Sequence, residues 1–301
     1  MVLEKDKNEV TFSSEGLQCS GLLYKPPIDQ QAAQLPAIVM AHGLSGVKEQ
    51  ALPQVAGIFT QNGFVTLVFD YRFFGGSEGE PRNQVFPLEM VEDYRNAITW
   101  ISELSEVDSE RIGIWGTSLS GGIVLYTAIF DKRVKAVVAQ VPALFNPVIR
   151  FERNPDAWHN DSNTISHDRL ERFRSGVINY IAIVNQPGQP CVLPGKEAYD
   201  FFMSTIEIAP NWRNRMTVES IEKMREFDVI SSIELLSPTP TMFIPAENDG
   251  LISIESIVSV YDKISEPKSL VSLPITHFEI YNDPWLSKAA DIASEWYQTY
   301  L

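Results

Sequence analysis

The chain has 301 residues, 44% of them hydrophobic, which is enough to bury a sizeable core in one large α/β domain or two smaller ones. A formal net charge of −15 repels phosphate backbones and anionic headgroups, so neither nucleic acid nor an anionic membrane is an expected partner. The N-terminal MVLEKDKNEV lacks the apolar core of a signal peptide, and no apolar run is long enough to span a bilayer, so the expected location is cytoplasmic. Cys19 and Cys191 are too few and too far apart for a disulfide framework or a zinc site, and both are read as buried thiols.

Two strands joined by a turn, EVTFSS and LQCSGLLYKP, come first. PAIVMAHG follows, a short apolar run ending in glycine, as expected of a strand buried on both faces. The pattern returns in FVTLVFDY, RIGIWG, VKAVVAQVP, TMFIPAEND and SLVSLPIT. Helical patterns cover 89–104, 120–130, 253–264 and 284–300. This alternation predicts an α/β fold with a mostly parallel central sheet flanked by helices. Such sheets carry their chemistry beyond the carboxyl ends of the strands, where His42, Asp70, Ser118, Asp249 and His277 fall.

The alternation breaks over 145–236. No strand pattern is evident there, and the segment carries charges, prolines and the aromatics Phe145, Phe151, Trp158, Tyr180, Phe201, Phe202 and Trp212. It is too long for a loop. The predicted organisation is a core of residues 1–144 and 237–301, with 145–236 inserted as a mostly helical lid that builds an apolar pocket over the strand ends. The competing reading is a packed side-domain without substrate contact.

RIGIWGTSLSGG holds two candidate nucleophiles, Ser118 and Ser120. In a nucleophile elbow the residues two before and two after the serine approach closely, so both must be small. Size does not separate the two serines; position does. The alternation of Ile112 and Ile114 ends at Gly116 and the helical pattern begins near Leu119, which puts Ser118 at the joint and Ser120 inside the helix. A serine needs a base, and the base an orienting carboxylate. Asp249 closes TMFIPAEND, and His277, the histidine after it, follows SLVSLPIT one strand–helix–strand step later. Glu247 lies too early, and His159 and His167 fall inside the inserted segment. The oxyanion hole is expected from the N–H groups of Leu119 and Leu44, with His42-Gly43 shaping the turn. The glycine pair of DYRFFGGSEG is not followed by a helix, so it reads as a structural loop rather than a phosphate cradle. No metal cluster is visible and no cofactor is expected.

Taken together, AHGLSG, FDYRFFGGSEG, GTSLSGG, AENDGLIS and THFEIY, in this order, resemble the α/β-hydrolase superfamily over about residues 8–300. Within it the chain is most similar to the dienelactone-hydrolase-like branch, especially to hydrolases related to the polyketide transferases of fungal biosynthetic clusters. The resemblance implies Ser118 as nucleophile, Asp249 as acid and His277 as base. Two positions depart from the wider pattern: Ser120 and Thr276 both stand where glycine is common. The expected function is a serine hydrolase or acyltransferase acting on an ester or thioester of a bulky apolar substrate, such as a polyketide. That small acyl substrate could be free or held on a carrier protein. The alternatives are a non-hydrolytic enzyme guiding cyclisation, dehydration or carbon–carbon cleavage, and a ligand-binding protein using a hydrolase shell. A peptidase is less expected, because nothing resembles an added size filter for peptides.

Overall fold

The computed structural model describes residues 7–26 and 34–301. The chain opens with strands β1 (Lys7–Ser14), β2 (Leu17–Tyr24) and β3 (Leu35–Ala41), then helix α1 (Leu52–Gln61) and β4 (Val65–Phe69). Helix α2 (Pro87–Ser102), β5 (Val107–Thr117), α3 (Leu119–Phe130) and β6 (Val134–Gln140) follow. Next come α4 (Pro147–Arg153), α5 (Pro155–Ser175), β7 (Tyr180–Ile181), α6 (Lys196–Ser204), β8 (Met216–Thr217), α7 (Glu219–Glu226) and a 3-10 turn at Ile230–Leu236. The last elements are β9 (Thr241–Ile244), α8 (Ile254–Tyr261), β10 (Lys268–Leu270), a second 3-10 turn at Glu279–Tyr281, and α9 (Trp285–Tyr300). No helix among the described residues is long and apolar enough to cross a membrane.

The main sheet has the order β1-β2-β4-β3-β5-β6-β9-β10. Strands β1 and β2 pair antiparallel, as do β2 and β4; the remaining pairs are parallel. Successive side chains point to opposite faces of a strand, and both faces here are covered. On β3, Ala37, Val39 and Ala41 pack with α2 and α3, while Ile38 and Met40 pack with α1 and α9. That is why PAIVMA is apolar throughout instead of alternating. Burial of Ile38, Val39 and Met40 contributes about 1.5–3 kcal/mol each relative to exposure.

The connection from β3 goes to β4 on one side, and the chain then crosses back to β5 on the other. The strand ends of β3 and β5 therefore flank the point where the winding reverses, where such sheets open a crevice. Tyr94 of α2 ties this point together: its hydroxyl accepts from the Ala41 N–H and donates to the Trp115 carbonyl.

Several boundaries differ from expectation. Strand β9 stops at Ile244, so Asp249 stands beyond it, on a segment that still pairs with 273–275 through Glu247 and Asn248 N–H groups. Strand β5 begins at Val107, before the apolar run. Segment 145–236 does contain strands, the short antiparallel pair β7–β8; two-residue strands leave no periodicity to read. Cys19 is buried as expected, and burial pushes its thiol pKa up, but Cys191 is only half-buried.

Candidate active site

Ser118 sits between β5 and α3 with φ 53° and ψ −118°. A non-glycine residue in that region is strained, and the surroundings hold it there. Its N–H donates to the Gln140 carbonyl, and its own carbonyl accepts from Gly121 and Ala143. The turn is tight enough that a Cβ on Gly116 would lie 2.2 Å from the Ser120 carbonyl oxygen. Gly121 and Gly122 serve a related purpose: added Cβ atoms would strike Pro142 and Ala143, in the loop after β6.

The two serines have different surroundings. Ser120 is fully buried, donates to the His42 carbonyl and shares a hydrogen bond with the Tyr71 hydroxyl. Ser118 faces a cleft, with its Oγ 3.2 Å from His277 Nε2. On the far side of the ring, Nδ1 lies 2.7 Å from Asp249 Oδ2. A carboxylate only accepts, so Nδ1 carries the proton and Nε2 is left to accept from Ser118. Asp249 Oδ1 takes the Leu251 and Ile252 N–H groups at 2.8 and 2.9 Å, which fixes the plane of the carboxylate.

The ring of His277 rests against Phe278 and Tyr281. Burial pushes the Tyr281 phenol pKa up, and its hydroxyl bonds Thr117 at 2.8 Å, so it is a neutral brace. Thr276 does not push the histidine out of line. Its N–H donates to Glu279, and its hydroxyl bonds Glu197 of α6 and Glu279. Glu247 accepts from Ser272 away from the histidine, and His159 and His167 are exposed on α5.

Leu119 opens α3, so its N–H has no carbonyl one turn back within the helix. Leu44 lines the cleft beside Ser118 and His277. The loop that carries Leu44 is anchored by a buried ion pair absent from the sequence reading. Lys48 donates to Asp70 twice, from its backbone N–H and from Nζ, both at 2.7 Å. Gly76 N–H completes the carboxylate's partners, and Gly75 must lack a side chain because a Cβ would fall 2.1 Å from Asp70 Oδ2. DYRFFGGSEG thus wraps this carboxylate. Burial pulls the Lys48 ammonium pKa down, but Asp70 and Glu49 together outweigh it and the pKa is raised. His42 is buried beside the pair; desolvation lowers its pKa, which favours the neutral ring.

The cleft over Ser118 has a volume of about 450 Å³ including its open mouth. One wall is the β3 loop, and another comes from Leu193, Phe201 and Phe202. Trp212 stacks on Phe202 and donates Nε1 to the Ser45 carbonyl, so the same aromatic group also props the loop of Leu44. The remaining aromatics of the segment lie elsewhere: Phe151 packs on Trp158, and Tyr180 lies under Arg215.

A family model for the X-Pro dipeptidyl-peptidases (S15 family) matches residues 16–279. The chain belongs to that family. This S15-family chain is 32% identical over 276 residues to thiohydrolase aneE of Aspergillus aculeatus, covering 89% of its own length and 86% of the relative. It is 43% identical over 206 residues to the quorum-quenching protein AidA of Acinetobacter baumannii, 68% of this chain and 67% of that one. Among solved structures it superposes on the α/β-hydrolase GrgF of a Penicillium species with a TM-score of 0.83 and 26% identity, covering 98% of each chain. The fold is therefore that of the α/β-hydrolases, and the protein is an enzyme of the hydrolase and acyltransferase class related to fungal cluster hydrolases.

Proposed function

We propose that the chain is a serine hydrolase or acyltransferase working on an ester or thioester through an acyl-enzyme on Ser118. The observation that carries this is the continuous chain Ser118 Oγ–His277–Asp249, with contacts of 3.2 and 2.7 Å. His277 Nε2 takes the hydroxyl proton as Oγ attacks the acyl carbonyl, and Asp249 stabilises the imidazolium. The Leu119 and Leu44 N–H groups receive the oxyanion. Collapse of the tetrahedral intermediate expels the leaving alcohol or thiol, which takes the proton from His277. Water or an acceptor alcohol then releases the acyl group by the same steps in reverse.

Segment 145–236 acts as a lid in this reading, because Leu193, Phe201 and Phe202 close the cleft over Ser118. An apolar acyl group suits those walls. The names thiohydrolase, polyketide transferase and acyltransferase among the relatives support a thioester, and a polyketide acyl group free or on a carrier. The family description names an exopeptidase, but relatives aligned along nearly the whole chain carry acyl-transfer names.

Fluorophosphonate labelling with peptide mass spectrometry tests this on the native, Ser118→Ala and Ser120→Ala proteins. The expected result is a tag on Ser118 in native protein that the first substitution removes. A native protein that forms product from its substrate without ever carrying an acyl adduct would favour non-hydrolytic chemistry instead.

A further inference from the structure

A second groove leaves the same sheet edge. It lies between the chain following β6 and segment 251–263, which carries α8, with a volume of about 1490 Å³ including its open mouth, and shares no lining residue with the cleft over Ser118. Its inner end abuts the candidate triad. Ala143, on one wall, donates its N–H to the Ser118 carbonyl at 2.8 Å. Leu251 and Ile252, on the other, donate theirs to Asp249.

The groove combines an apolar surface with positive charge. Leu144, Phe145 and the exposed Ile149 supply the former; Arg150, Arg153, Arg225 and Lys263 supply the latter, against Glu255 as the one carboxylate among its lining residues. Glu255 already accepts from the Ser253 hydroxyl at 2.7 Å. Arg150 pairs with Asp161, and Arg225 donates to Ser162 and covers the Trp158 ring. Arg153 and Lys263 are exposed and make no ion pair among the described residues. Burial lowers the Arg225 pKa, with Asp161 and Glu222 opposing the shift and Arg150 adding to it. In a chain with 39 acidic and 24 basic residues, this wall runs against the overall charge.

The geometry points to a subsite for an anionic amphiphile: the leaving or acceptor half of the substrate lays an apolar body on Leu144, Phe145 and Ile149 and presents a carboxylate or phosphate to Arg153 and Lys263. The inference rests on the reading of Ser118 as nucleophile, because that residue places the groove beside the reacting atoms. Charge complementarity supplies selectivity, since a neutral head leaves the cations unpaired.

Calorimetry on the Ser118→Ala protein tests it with octyl phosphate, octanoate and octan-1-ol. The anions are expected to bind about tenfold more tightly than the alcohol, and more weakly as salt rises. The double variant Arg153→Ala/Lys263→Ala is expected to lose about tenfold in anion affinity. Both side chains are exposed, so folding is not at stake. Preference for octyl phosphate assigns a phosphate head, and preference for octanoate a carboxylate. Equal affinity for anion and alcohol, or anion binding that survives the double variant, overturns the proposal. This measurement needs no turnover, so it fails independently of the fluorophosphonate result that tests the nucleophile. In turnover, the kcat/KM ratio of an ester with an anionic leaving group to one with a neutral group is expected to fall about tenfold in the double variant, through KM.

Discussion

The strand ends around Ser118 and the helices α4 and α5 are held by different means. At the strand ends, polar groups are buried and each is tied to named partners: Asp249 to two N–H groups and His277, Asp70 to Lys48 and Gly76, Ser120 to His42 and Tyr71. Helix α4 buries no residue and α5 buries only Asp168, while Phe173 on α5 is 89% exposed. Helix α5 is tied to α7 by Arg172 with Glu219 and by the exposed Arg169 with Glu222. The later half of segment 145–236 resembles the core instead, with Phe202, Trp212 and Met216 buried. A buried polar network has one satisfied arrangement and is costly to break, whereas an exposed helix held by ion pairs loses little when one contact goes. The geometry that the proposed chemistry needs is therefore concentrated where substitutions cost most.

Four substitutions or conditions sharpen or break this contrast. The largest effect is expected from Asp249→Asn, which should lower kcat on an activated ester about a thousandfold or more by turning the imidazole to the wrong tautomer. A loss under tenfold would separate Asp249 from the chemistry. Lys48→Met leaves the Asp70 carboxylate buried without its ammonium, and urea unfolding should show a loss of about 3–5 kcal/mol. Its kcat should fall as well, because the loop of Leu44 loses its anchor; an unchanged kcat would show that the loop holds without the pair.

A smaller effect concerns His42. Desolvation, partly opposed by Asp70 and the Gly43 carbonyl, lowers its pKa in the folded protein below the ordinary 6.5. The unfolded chain then takes a proton below pH 6.5 that the folded one refuses, so stability falls as pH drops through that value. His42→Gln should flatten this slope between pH 6.5 and 5, and an unchanged slope would assign the loss to other groups. The smallest effect belongs to α5: Phe173→Ser should change stability by no more than about 0.5 kcal/mol. A larger loss would mean that Phe173 is covered in solution.

The parallel sheet was legible because its strands are buried on both faces and read as apolar runs separated by amphipathic helices. Ser118 was separable from Ser120 for the same reason, since the ends of periodic segments mark the strand–helix joint. Helix α1 was not among the helical patterns read from the sequence, although Leu52, Val55, Ala56 and Phe59 form its buried face. Thr276 shows the limit of reading single positions: it departs from glycine, yet Glu197 and Glu279 hold it without displacing His277. Composition placed the aromatics of 145–236 together, and only packing sorted Phe201 and Phe202 to the cleft, Phe145 to the second groove and Trp212 to the support of Ser45.

By itself the sequence determined the sheet, its helical cover and the order of the nucleophile, acid and base candidates, because strand and helix periodicities and chain order are local properties. The tertiary structure alone decided the rest. The Lys48–Asp70 anchor, the neutral state favoured for His42 and the cationic wall of the second groove all join residues far apart in the chain, where charge and burial depend on which segments meet and not on what each contains.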